Sequence, residues 1–169
     1  MKGDEEDAPV LNVGDRAPEF TASTDTETTA SLKDFRGKKV VLFFYPKDDT
    51  AGCTREACSF RDHYGAVTER GAVILGVSAD GVESHAAFKH KYALPFPLLA
   101  DPDRAIITAY GVWKERTASD GRTFMGIERT TFIIDERGMI AKIFPKVKVD
   151  GHTDEVLAAL AEPASTARS

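Results

Sequence analysis

The chain has 169 residues, 42% of them hydrophobic and 29% charged, with a net charge of −5. That is the make-up of one globular domain long enough to bury a proper core. Its acidic balance argues against a nucleic-acid partner, whose phosphates require a basic excess, and its longest apolar runs are strand-sized, too short to span a membrane.

Residues 1–9 are rich in acids and read as a mobile acidic tail. The opening MKGDEEDAPV has no apolar core behind a basic start, so it does not read as a secretory leader. It is also too acidic for an organellar transit segment, and the expected location is the cytoplasm. Residues 10–162 read as a single domain, without internal repeats or a long linker, and 163–169 as a frayed end.

The Thr- and Ser-rich stretch from Thr21 to Ala30 predicts a short edge hairpin turning near Asp25. Ser31 to Phe35 predicts a capped helical turn stopped by Gly37. Val40 to Tyr45 is a near-continuous run of β-branched and aromatic residues, as in a central strand buried on both faces. Thr50-Ala51-Gly52 predicts a turn, and a helix follows from Cys53 to about Arg70. Its apolar positions Ala57, Phe60, Tyr64 and Val67 have helical spacing.

Gly71 closes that helix and Val73 to Val77 predicts a second buried strand, which makes a parallel βαβ unit. Val82 to Tyr92 has an amphipathic helical pattern, Leu94 to Leu99 enters a short strand, and Asp103 to Tyr110 forms a short helix ended by Gly111. Asp120-Gly121 marks a turn between two further strands. Thr130 to Ile134 and Met139 to Phe144 form a hairpin across Asp135 to Gly138, and a last helix runs from Asp154 to about Ala161. The fold class is therefore α/β: a thioredoxin-like fold with a central mixed β-sheet flanked by helices, an N-terminal β-hairpin extension and an insertion.

Both cysteines, Cys53 and Cys58, fall at the strand-to-helix junction. A thiol in the first turn of a helix faces unpaired backbone N–H groups and the positive end of the helix dipole, a setting that favours thiolate, the nucleophilic form. The plain alternative is a small buried apolar residue. On a regular helix two residues five apart lie about 7.5 Å apart along the axis and about 140° around it, so their Cα atoms are roughly 8.7 Å apart. A disulfide tolerates about 7 Å at most. Either the two thiols never bridge or the helix unwinds first. Zinc is disfavoured: the four histidines, His63, His85, His90 and His152, are scattered, and close Cys-x-x-Cys pairing is absent.

The segment Tyr45-Pro46-Lys47-Asp48-Asp49-Thr50-Ala51-Gly52-Cys53-Thr54-Arg55-Glu56-Ala57-Cys58 contains Pro-x-x-x-Thr-x-x-Cys and ends in Gly-Cys-Thr-x-Glu-Ala-Cys. In this it resembles the peroxiredoxins, and within them the peroxiredoxin Q or bacterioferritin comigratory protein subfamily. The likeness runs from about Val13 to Leu160 and takes in Val77-Ser78-Ala79-Asp80, Tyr110-Gly111-Val112-Trp113 and Arg129-Thr130-Thr131-Phe132. One departure is Ala51, where the family often has proline.

The resemblance implies a thiol-specific peroxidase for hydrogen peroxide and organic hydroperoxides, with no metal, haem or flavin cofactor. It casts Cys53 as the peroxidatic cysteine and Cys58 as the resolving one, joined in an intramolecular disulfide. By the same likeness Thr50 holds the peroxide, Pro46 shields the pocket, Arg129 stabilises the developing charge and Glu56 orients that arginine. Thioredoxin, or else glutaredoxin, is the implied electron donor, and intrachain resolution is compatible with a monomer. Two other classes stay in view: a thioredoxin-fold disulfide exchanger without peroxidase activity, whose usual Cys-x-x-Cys is missing, and a structural interaction domain with unreactive thiols.

Overall fold

The structure, a computed structural model, describes residues 11–161. The acidic tail expected at 1–9 and the frayed end expected at 163–169 lie outside the described residues. The Thr/Ser-rich segment folds as the expected hairpin, β1 (Thr21–Thr24) antiparallel to β2 (Thr29–Ser31). A single 3₁₀ turn, Leu32–Phe35, follows, and the Asp34 carboxylate accepts the Ser31 backbone N–H at 2.9 Å.

The apolar run forms β3 (Lys39–Phe44), which leads into α1 (Ala51–Asp62), α2 (Tyr64–Glu69) and β4 (Ala72–Ser78). Strands β3 and β4 are parallel, in register from Lys39↔Ala72 to Phe44↔Val77, so the βαβ unit is present. Two details differ from expectation. The helix begins at Ala51, so the turn expected at Thr50–Gly52 is already the first helical turn. It also breaks at His63 (φ −106, ψ 12) instead of running on to Arg70. There the His63 ring nitrogen Nδ1 lies 2.8 Å from the Ser59 carbonyl oxygen, which also accepts the His63 backbone N–H at 3.1 Å. The apolar spacing continues across the break, which hides it from the sequence pattern.

Beyond β4 come α3 (Val82–Tyr92), β5 (Leu98–Ala100), α4 (Ala105–Ala109), β6 (Trp113–Thr117), β7 (Thr123–Ile127), β8 (Thr130–Ile134), β9 (Ile140–Phe144) and α5 (His152–Ala161). Seven strands make one mixed sheet in the order β2-β1-β5-β4-β3-β8-β9, and β6 with β7 makes a separate two-stranded insertion. The N-terminal hairpin is thus an extension of the main sheet, since β1 also pairs with β5. Among the described residues no helix is long and apolar enough to cross a membrane.

The pleat of β3 sorts its side chains onto two cores. Val40, Leu42 and Phe44 pack on one face with Ile107, Tyr110 and Phe132. Val41, Phe43 and Tyr45 pack on the other with Cys53, Phe60, Phe88 and Phe96. A strand buried on both faces is a central strand, and β3 lies between β4 and β8. Gly76 in β4 makes the second core possible, because a Cβ there would meet the Phe43 ring at 2.8 Å. Phe60 stacks on Phe43 at 4.8 Å between centroids, and this fixes α1 against the sheet.

Candidate active site

Helix α1 turns one stripe inward: Cys53, Glu56, Ala57 and Phe60, at i, i+3, i+4 and i+7. Three of these suit an apolar stripe and one, a glutamate, does not. A buried carboxylate needs a partner, and Arg129 supplies it. The register of β8 on β3 pairs Thr130 with Phe44, so Arg129 lies just past the end of β3, above the start of α1. It occupies the two-residue link between β7 and β8.

The guanidinium spans two groups on α1. Its Nη1 donates to Glu56 Oε1 at 2.7 Å and its Nη2 to Cys53 Sγ at 3.5 Å. Gly52 allows this approach: a Cβ at that position would stand 3.1 Å from Arg129 Nη2. In the sequence Gly52 reads as a turn residue; its place inside α1, where a glycine costs about 1 kcal/mol relative to alanine, emerges only from the fold. Burial alone would weaken the charge on Arg129, but Glu56 and Cys53 more than offset that and hold its ionisation above the ordinary arginine range.

Cys53 is buried and Cys58 half-buried, and both are free thiols. They sit on different faces of a regular helix, as five-residue spacing requires. Burial pushes the Cys58 thiol up, with Arg61 opposing. Thr50 immediately precedes the helix, and its hydroxyl donates to the Lys47 carbonyl at 2.9 Å. Its lone pairs stay available to accept a further hydrogen bond. Pro46 and Arg129 line one cavity of about 440 Å³ with Arg116, Glu128, Lys146 and Val147. Phe44 and Phe96 are fully buried core residues, and Trp113 lies under the Arg104 guanidinium at 4.5 Å.

Glu56 is 1% exposed, and its Oε2 has no hydrogen-bond partner among the described residues. Burial therefore outweighs the pull of Arg129, and the carboxyl rises from 4.5 to about 7. The unfolded chain loses this proton at lower pH than the folded one does. The stabilisation linked to Glu56 is thus full below about 4.5 and fades as pH rises to about 7. Glu56→Gln is expected to flatten the fall in urea stability between those limits, and urea titrations of both proteins at pH 5 and pH 8 test this. An equally steep fall in the variant would contradict it.

Sequence reasoning missed a second buried polar cluster, on the other side of the loop from β3 to α1. Asp48, Asp80 and His85 offer atoms within 4.8 Å of one another, a grouping of metal-ligating types. Those atoms are engaged in hydrogen bonds with Tyr45, Ser84, Ser78 and the Leu99 carbonyl, which accounts for the grouping. Burial, reinforced by Asp48, holds the Tyr45 hydroxyl well above the ordinary phenol range.

Besides Glu56, Arg129 holds the Cys53 sulfur on α1, so the chemistry available is thiol chemistry, on a scaffold of the thioredoxin-like class. A family model described as the AhpC/TSA family matches residues 13–143. A Coxiella burnetii protein named as a peroxiredoxin of the bcp type is 52% identical over 150 residues, covering 89% of this chain and 99% of its own. Peroxiredoxin Bcp of Bacillus subtilis is 46% identical over 150 residues, covering 89% and 95%. A solved structure of the Xanthomonas campestris bacterioferritin comigratory protein, described for its alkyl peroxide reduction activity, superposes with a TM-score of 0.79 at 41% identity and covers 83% of this chain and 89% of its own. The chain belongs to the AhpC/TSA family, as a peroxiredoxin of the peroxiredoxin Q group. It is a thiol peroxidase with the fold read from its sequence.

Proposed function

We propose that Cys53 is the peroxidatic thiolate and that Cys58 resolves it within the same chain. The observation that carries the reading is Arg129 held between Cys53 and Glu56. The Cys53 sulfur attacks one peroxide oxygen and the O–O bond breaks. Cys53 becomes a sulfenic acid, and the leaving oxygen takes up a proton to give water or an alcohol. Arg129 donates toward the oxygens as negative charge moves onto the leaving one. Preorganised donors of this kind give the largest electrostatic contribution to catalysis. Glu56 fixes the direction of that donor. Thr50, beside the helix start, accepts the hydrogen bond of the peroxide hydroxyl, and Pro46 walls the approach.

The Cys58 thiol then attacks the sulfenic sulfur, releasing water and forming the Cys53–Cys58 disulfide. On the regular α1 the two Cα atoms lie about 8.7 Å apart, so the first turns unwind for this step. Phe60, fully buried and stacked on Phe43, anchors the far end of the unwinding segment. A thioredoxin, or a glutaredoxin in its place, returns the disulfide to two thiols by exchange. Oxidation of Cys53 and its resolution by Cys58 lie within one chain, which is the basis for reading the enzyme as a monomer. Cys58→Ser is expected to consume one equivalent of peroxide per chain and then stop turning over with thioredoxin. Undiminished thioredoxin-linked cycling in that variant would remove Cys58 from the mechanism.

A further inference from the structure

The loop between β3 and α1 carries Pro46 and Thr50, yet most of its hydrogen bonds go to other elements, α3 above all. Asp48 lies at the centre. Its Oδ1 accepts the Tyr45 hydroxyl at 2.6 Å, and its Oδ2 accepts the Ser84 hydroxyl at 2.7 Å. His85 Nδ1 stands 2.7 Å from the same Oδ2, and His85 Nε2 donates to the Leu99 carbonyl at 2.9 Å. The Asp48 backbone N–H donates to Asp80 Oδ2 at 2.7 Å, and the Ser78 hydroxyl steadies that carboxylate at 2.8 Å.

The next residue repeats the pattern on the surface. Asp49 accepts Lys91 Nζ and the Tyr92 hydroxyl, each at 2.9 Å. Asp49 also has φ +61, in the left-handed region that aspartate adopts more readily than most residues. His85 is fully buried and Asp48 nearly so, and the peroxide chemistry uses neither. Both belong to a network that joins the loop to α3, to the end of β4 and to β5. Thr50 follows Asp49 directly, and its carbonyl accepts the Thr54 N–H at 2.8 Å in the first turn of α1.

We propose that Asp48 and His85 are positioning residues of the peroxidase site, a buried clamp that holds the loop on α3 and so sets where Thr50 stands relative to Cys53 and Arg129. The two sides of the peroxide pocket come from separate parts of the chain. Arg129 is fixed by the β8 register and Cys53 by its packing in the core beside Ala57 and Phe60, whereas Thr50 is set by this clamp. Loosening the clamp shifts one side against the other while the thiol and its partner Arg129 stay in place. This inference rests on the peroxidase reading of Thr50 and Cys53.

The test uses the full chain with Cys58→Ser, so that both readouts report Cys53 alone. Asp48→Asn, His85→Gln and Tyr45→Phe are each added to it. The loss of the Cys53 thiol to hydrogen peroxide is followed by mass, and alkylation by iodoacetamide is followed on the same proteins. Alkylation needs a reactive, reachable thiol but no alignment of a peroxide. The clamp predicts peroxide rates slower by about 10- to 100-fold in Asp48→Asn and His85→Gln, the scale of a misplacement of about 1 Å. Tyr45→Phe is expected to show a smaller loss in the same direction, and alkylation to stay at the parent rate. Unchanged peroxide rates, or both rates falling together, would overturn the inference. Should Asp48→Asn and His85→Gln fail to fold, Tyr45→Phe and Ser84→Ala decide it, since each removes one donor and keeps the packing; unchanged peroxide rates in both overturn the clamp. A parent protein inert to peroxide would instead overturn the peroxidase reading of Cys53, a separate outcome.

Discussion

Cys53→Ser is expected to reduce peroxide turnover to background, a loss on the order of 10⁴-fold or more. The substitution changes one atom in a buried site whose neighbours are Ala57, Phe60 and the sheet, so the packing survives. What disappears is the nucleophile. A serine hydroxyl stays protonated near neutral pH, and its oxygen is a poor nucleophile toward the O–O bond. Sulfur as thiolate attacks readily and accepts the transferred oxygen. Cys58 does not substitute for it: burial raises that thiol, and it lies on another face of α1 from Arg129. Stopped-flow consumption of peroxide by the folded variant measures the loss. Turnover within a few-fold of the parent would remove Cys53 from the chemistry.

Arg129→Lys is expected to slow the peroxide step by roughly 10²- to 10³-fold, the usual effect of removing a preorganised donor to developing charge. The substitution keeps a positive charge and is not conservative at this site. Arg129 reaches Glu56 with one nitrogen and Cys53 with the other, across a glycine that leaves just enough room. A lysine ammonium is a single point on a flexible stem and cannot hold both in a fixed fork. The nearest carboxylate, Glu56, captures it and draws it away from the sulfur. Arg129→Met goes further and leaves Glu56 buried with no partner. Breaking a buried pair costs about 3–5 kcal/mol. Here the carboxyl, already raised to about 7, escapes much of that cost by taking a proton. The destabilisation of Arg129→Met is therefore expected to be larger at pH 8 than at pH 5, by urea titration. Equal losses at the two pH values would mean that Glu56 does not carry the charge of the pair.

Much of this arrangement was legible in the sequence because it is local. The run from Val40 to Phe44 announces a strand buried on both faces, and Cys53 follows it at the start of a helix, a meeting of strand and helix that needs no long-range information. The hairpin at Asp135–Gly138 was legible for the same reason, through its turn residues. Arg129 was not. Its place depends on the pairing of β8 with β3, and by residue type alone it reads as an ordinary surface arginine; only the family resemblance singled it out. Glu56 left a trace, as a charge inside an otherwise apolar stripe. The Asp48–His85 pair left less, because its two members are 37 residues apart and meet only when α3 packs over the loop. The break at His63 was invisible for another reason: Phe60, Tyr64 and Val67 keep helical spacing whether or not the helix bends between them.

The proposed mechanism turns on one motion, the opening of α1 that would bring Cys58 to Cys53. The most direct measurement is the intact mass and disulfide map of the reduced protein before and after one equivalent of hydrogen peroxide. The account predicts a chain lighter by two hydrogens, still monomeric, with a single Cys53–Cys58 link. A chain that gains oxygen at Cys53 and keeps a free Cys58 thiol, or a product joined between two chains, would contradict it.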